Sequence, residues 1–206
     1  AGTPARPETA GRLRGEKLDF VMADQGLHLS GGTLVAEFNR EVLRLDELSF
    51  ASPNRVKPRE NRIDVARLTR EPGTLRAAGA IQLASGEGRF SFKADRLPLL
   101  QRADQWLVLS GEGEVLSGWN SAHLKGRLAA DAGFVELSRT PAPSLGDDVE
   151  VVDPRRTEKT PASPFSMGVD LTLSLGNALY VKALGLDTRL AGELRLQSGD
   201  GRPLSA

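Results

Sequence analysis

The sequence predicts an all-β chain: a curved or rolled, antiparallel-rich sheet with few short helices. Three observations carry that expectation. Apolar and polar residues alternate with a period of two along most of the chain. Turn-forming residues interrupt them often, with 22 Gly and 12 Pro in 206 residues. Helical periodicity is scarce. A half-buried sheet must cover its apolar face with something. Without helices the sheet must fold over itself, as a sandwich, a barrel or a rolled sheet.

The elements follow in order. Residues 1–19 read as a polar lead-in carrying Pro4, Pro7, Gly11 and Gly15. Residues 20–137 read as a curved sheet region. Its first candidate strands are Gly26–Ser30, Thr33–Phe38, Val42–Leu45, Glu47–Ala51 and Thr74–Leu83. Gly88–Ala94, Trp106–Leu116, Ala122–Ala130 and Phe134–Leu137 complete the set. A short helix is expected at Leu97–Gln105, with Pro98 in its first turn, and a weaker one at residues 59–71. Residues 138–164 hold Pro141, Pro143, Pro154, Pro161 and Pro164 among many charges, which predicts a long loop or disordered insertion. Residues 165–206 resume the same sheet. There Val169, Leu171, Leu173 and Leu175 alternate with Asp170, Thr172 and Ser174. Gly176-Asn177 reads as a turn, and the parity change after Leu179, Val181 and Ala183 predicts a bulge or bend at Leu184-Gly185.

Composition excludes several functions. Lys+Arg and Asp+Glu are both 27, so the chain lacks the basic excess of a general nucleic-acid binder. Cysteine is absent, which removes thiolate zinc sites, Cys nucleophiles and disulfides. The longest clean apolar runs are short, such as Trp106-Leu107-Val108-Leu109, whereas a spanning helix needs about 20 apolar residues. The chain starts at Ala1, with no Met and no signal peptide, which predicts a piece of a longer protein. Leu outnumbers Ile 31 to 2 and Arg outnumbers Lys 21 to 6, a joint bias explained by genomic base composition.

No catalytic, metal or cofactor site stands out. Ser121, His123 and Asp131 are the residue types of a nucleophilic triad, but no strained Gly-x-Ser-x-Gly turn accompanies them. His28 sits between Leu27 and Leu29, on the polar side of a strand. Asp147, Asp148, Glu150 and Asp153 lack the Gly turn and closing Glu of a calcium loop. Gly111-Glu-Gly113-Glu leads into strands, not into a helix N-terminus, so it is no phosphate cradle. The chain is therefore expected not to be an enzyme and to need no cofactor. What remains is the apolar ladder. A Leu-lined face with no helix over it forms either an ordinary sandwich core or an open groove, and alternation alone does not choose between them.

One stretch adds to this reading. Val169-Asp-Leu171-Thr-Leu173-Ser-Leu175-Gly176-Asn177, Leu179-Tyr180-Val181 and Gly185-Leu186-Asp187-Thr-Arg189-Leu190-Ala-Gly192-Glu-Leu194 resemble the TamB C-terminal domain, of the AsmA-like superfamily. Leu97-Pro98-Leu99-Leu100, Val108-Leu109-Ser110-Gly111 and Gly133-Phe134-Val135-Glu136-Leu137 are similar to the same family, so the resemblance covers roughly residues 75–206. Ala183 departs from it, where the family often has Gly.

The resemblance implies a β-taco-like rolled sheet with a hydrophobic inner face. It implies a periplasmic segment of a Gram-negative envelope protein whose full-length chain is anchored in the inner membrane. It implies a TamA-like outer-membrane barrel as partner, and roles in outer-membrane protein and autotransporter assembly and in phospholipid transport between membranes. The cargo would be phospholipid acyl chains or unfolded outer-membrane polypeptide. The expected groove lining is Leu107, Leu109, Leu124, Leu128, Val135 and Leu137 from the middle of the chain. From the last region it is Leu171, Leu173, Leu175, Leu190, Leu194 and Leu196. The alternative is a structural β-sandwich interaction module without a ligand groove.

Overall fold

A computed structural model of the chain describes residues 10–23, 26–137 and 165–198. Among these described residues eleven strands form one sheet that does not close on itself. The first seven make an antiparallel meander: β1 (Ala10–Met22), β2 (Leu27–Asn39), β3 (Val42–Ser52), β4 (Gly73–Gln82), β5 (Gly88–Gln101), β6 (Gln105–Gly118) and β7 (Ser121–Leu137). Four follow: β8 (Ser166–Ser174), β9 (Leu179–Ala183), β10 (Leu186–Leu190) and β11 (Glu193–Ser198). A helix, α1 (Val65–Leu68), is capped by Asp64, whose carboxylate accepts the Arg67 N–H at 3.1 Å.

Strand β7 organises the second half. Its first part pairs in parallel with β8, from Ser121↔Ser166 to Ala129↔Ser174. Its last part pairs in parallel with β9, from Gly133↔Leu179 to Leu137↔Ala183. The chain thus leaves β7 at Leu137 and re-enters beside the strand's opposite end. A parallel pair requires such a long crossover, and the residues between, 138–164, lie outside the described ones together with 1–9 and 199–206. The sheet forks beyond β7, one branch being β8–β11 and the other β9–β10. At the fork Gly176 has φ +61, and a Cβ there would stand 2.4 Å from the Ala130 carbonyl oxygen, so only glycine fits.

Bulges keep the alternation in phase. Between Leu45 and Leu48 an extra residue enters β3, so Asp46 and Glu47 both face solvent and Leu48 returns to the apolar side, opposite Ala77. The register shift at Val35/Ala36 is the same β3 bulge met from β2, and opposite Val108/Leu109 the extra residue is Asp131 of β7.

One end of the sheet is sealed. There β5 runs past the end of β4 and meets the start of β2: the Gln101 N–H donates to the Gly26 carbonyl at 2.9 Å, and its side-chain amide to the His28 carbonyl at 3.2 Å. The Ser30 N–H donates to Ser52 Oγ at 2.8 Å. Leu29, Phe50, Ala94, Leu97 and Leu109 form the core beneath this seam. A second core lies on the opposite face, where the β3–β4 connection straps across β6, β7 and β9. Ile63 from that strap packs with Trp106, Val108, Ala132 and Phe134, and Trp106 Nε1 donates to Asn54 Oδ1 at 2.8 Å.

Four local expectations change. The helix expected at Leu97–Gln105 is the last part of β5. Leu97 and Leu99 both turn to the apolar side, a period of two, and Pro98 sits where the β5–β6 register shifts, so its missing N–H breaks no regular ladder. Leu184-Gly185 is not a bulge within one strand. It is a two-residue hairpin turn joining β9 to β10, with φ +53 and +86. The stretch read as a polar lead-in supplies, from Ala10, the edge strand β1. Within residues 59–71 the helix is limited to Val65–Leu68.

Candidate functional site

The ladder registers line up apolar residues in rows across the sheet. One row runs Leu45, Gly79, Phe90, Val115, Leu124 and Val169. The next runs Leu48, Ala77, Phe92, Gly113, Gly126 and Leu171, and a third runs Phe50, Leu75, Ala94, Gly111, Leu128 and Leu173. The residues between them in sequence point the other way and are charged or polar, for example Arg76, Lys93, Glu112 and Arg127. Over these rows the sheet therefore has one apolar and one charged face, the second core lying on the latter face beyond them. At Gly113 a Cβ would meet the Phe92 ring at 2.7 Å, so this glycine admits an aromatic ring laid across its neighbour strand.

The apolar face is used unequally. Near the seam Leu97 is 2% and Leu109 6% exposed. Towards the turns joining β2–β3, β4–β5 and β6–β7, residues Leu43, Leu45, Ile81, Phe90, Val115 and Leu124 stay half-buried.

The expected lining residues distribute as follows. Leu107, Leu109, Leu124, Leu128, Leu171, Leu173, Leu194 and Leu196 share this face, with Leu194 opposite Leu173 and Leu196 opposite Leu171. Val135 lies on the same side beyond the β7 bulge, opposite Val181, and Leu137 follows it, exposed at the strand's end. Leu175 falls in the break between β8 and β9, and Leu190 is an exposed residue of β10. Sequence reasoning passed over the first half of the chain, which supplies Leu34, Leu45, Leu48, Leu75, Phe90 and Phe92 to the same face. The signal was present in their alternation, but the bulges shift its parity.

Polar groups cluster elsewhere. A cavity of about 820 Å³ lies on the charged face, where Arg76, Lys93 and Lys125 stand among Asp46, Glu47, Glu112 and Glu114. The strap carries Glu60, buried and held by Arg62 at 2.6 and 2.8 Å and by Lys182 at 3.7 Å. These contacts lower its carboxyl to about 2, the Arg62 hydrogen bond being the main cause. Arg62 also pairs with Asp187 and lies 4.3 Å from the Tyr180 ring centre, which ties the strap to the β9–β10 branch. Burial raises the Asp131 carboxyl, against the Ser110 hydroxyl that donates to it at 2.7 Å.

Ser121, His123 and Asp131 stand along the single extended strand β7. Eight residues separate His123 from Asp131, about 26 Å at ~3.3 Å per residue, so the three cannot work as a triad. Among the described residues, no group of three or more His, Asp or Glu is placed to hold a metal ion. The acidic cluster Asp147 to Asp153 lies outside those residues. Nor is any helix among them long and apolar enough to cross a membrane.

A family model described as TamB C-terminal domain matches residues 63–205, more than half of the chain. The match begins in the strap and takes in β4 to β11. No curated protein and no solved structure matches.

Proposed function

Since the chain belongs to the TamB C-terminal domain family, we propose that it serves an envelope assembly and transport module by binding, with no covalent step. Its apolar face is the groove. The cargo is an acyl chain of phospholipid or an unfolded segment of outer-membrane polypeptide. The working place is the periplasm, the full-length chain being anchored in the inner membrane. The partner is a TamA-like outer-membrane barrel, and the output is outer-membrane protein and autotransporter assembly together with phospholipid movement.

The observation that carries this reading is the continuity of the apolar rows from β3 to β8, with no helix among the described residues laid over them. Half-buried Leu, Phe and Val side chains lose water contact when a hydrocarbon lies on them, at about 25 cal/mol per Å². A fluorescent fatty acid added as monomer tests the groove directly. The protein is expected to take it up, and Leu173→Glu is expected to weaken uptake at least about tenfold while unfolding stays cooperative. Unchanged uptake in that variant would remove the Leu173 face as the site, and no uptake by the wild type, or complete unfolding of the variant, would instead favour a closed sandwich module.

A further inference from the structure

Outside the hairpin turns, the residues of positive φ among the described ones fall on one line across the sheet. They are Lys17 in β1, Gly31 in β2, Arg96 in β5, Gly111 in β6, and Gly176 and Gly192 in the breaks after β8 and β10. Contacts between neighbours trace the line. Lys17 is the extra residue opposite Gly32 and Thr33. A Cβ at Gly31 would stand 3.4 Å from the Ala51 carbonyl oxygen, and Ala51 pairs with Thr74, which pairs with Asp95. The next residue, Arg96, donates its N–H to Ser110 Oγ at 2.9 Å, beside Gly111. Gly176 lies against Ala130 of β7, and the Leu175 N–H donates to the Gly192 carbonyl at 2.9 Å.

The backbone ladder is interrupted along the same line. The registers shift after Glu16, after Ala94 and at Val108/Leu109, and Ala130 to Ala132 of β7 have no partner in β8 or β9. Irregular positions of this kind bend a strand and hold it with fewer bonds. The line also divides packed from unpacked structure. Of the buried hydrophobic residues, all but Ala36 lie on it or towards the seam and the strap. On the other side, towards the mouth of the apolar face, Leu43, Ile81, Phe90 and Val115 stay half-buried. A well-packed body and a loosely packed one, joined where the ladder is broken, make the arrangement of a hinge. One side chain fastens it. The Ser110 hydroxyl donates to Asp131 Oδ2 at 2.7 Å while its oxygen accepts the Arg96 N–H, so Ser110 ties together the bulged residues of β5 and β7.

We infer that the sheet hinges along this line. The half that bears the open rows swings against the packed half, the apolar face widens and narrows, and Ser110 sets the resting angle. This rests on the reading of that face as a groove, and it adds the motion that admits the cargo.

Paired nitroxide labels test it in the whole chain, which has no cysteine of its own to compete for them. Ala66→Cys with Glu87→Cys spans the line, and Ala66→Cys with Arg102→Cys stays within the packed half, all three residues being exposed. Pulsed EPR is expected to give a broad distance distribution for the first pair, a narrow one for the second, and a shift of the first when monomeric fatty acid is added. Ser110→Ala should shift the first pair and leave the second unchanged. Asp131→Ala, which spares the Arg96 bond, should shift it less, and it serves in place of Ser110→Ala if that variant does not fold. Two narrow distributions overturn the hinge, and retained uptake of the monomer then leaves the groove standing. Two broad ones overturn the division into two bodies. A first pair that the variants leave unchanged overturns the role of Ser110. One that ignores a monomer the protein takes up overturns the motion as the way in. A broad first pair in a protein that takes up no monomer refutes the groove and leaves the hinge.

Discussion

The two ends of the apolar face are made of the same residue types and behave differently. At the seam, Leu29, Leu97 and Leu109 are buried because β2 and β5 meet over the shorter β3 and β4. At the opposite end Leu43, Ile81, Phe90 and Val115 alternate just as regularly, yet nothing among the described residues crosses above them and they stay half-buried. Hydrophobic character sets which face a side chain takes. Only the path of the strands sets whether that face becomes a core. The seam end is where burial is concentrated, and the other end is the half-buried part that the proposed groove reading uses.

The difference is breakable, and the largest effect is expected at the seam. Leu109→Ala should cost about 2–5 kcal/mol in denaturant unfolding. Val115→Ala, three rows nearer the mouth, should cost less than half as much, because a half-exposed site leaves little cavity. Equal losses at the two positions would mean that the mouth is packed as tightly as the seam.

The fork comes next. Gly176→Ala forces a side chain into a left-handed backbone and against the Ala130 carbonyl, at a cost of about 1–3 kcal/mol. Amide exchange should show the loss first in β9 and β10, ahead of the seam.

The strap sharpens the contrast through pH. Glu60 titrates near 2 when folded, below its ordinary value of 4.5. A lowered carboxyl favours the folded state above 4.5, and that contribution fades as pH falls from 4.5 towards 2. Thermal midpoints should therefore drop over that window in the wild type. Glu60→Gln should be less stable at neutral pH and show a smaller acid-dependent drop. A variant with the same acid profile as the wild type would remove the strap from the account.

The smallest effect is expected at Leu13, which faces the apolar side on edge strand β1 and is exposed. Leu13→Ser should change unfolding by no more than about 0.5 kcal/mol, and a larger loss would show that β1 is part of the packed core.

The sequence by itself determined the strand content, the two-sided character of the sheet and most of the apolar side. These follow from a period of two, a local consequence of the pleat that a few residues are enough to display. Leu171 and Leu173 were placed on one face from such a stretch alone. Where a bulge adds a residue, as between Leu45 and Leu48, the parity inverts and the local pattern no longer tells the face. Leu97 to Gln101 read as helical because a leading proline suits a first helical turn. It became strand because Trp106 to Leu109 stood alongside to complete its ladder. Tertiary structure alone decided the rest: the parallel pairing of β7 with β8 and β9, the strap from Asn54 to Leu68 over the second core, and the meeting of Gln101 with Gly26. Each depends on which distant segment arrives to satisfy a backbone edge or cover a face, and residues far apart in the chain carry no periodic mark of that choice.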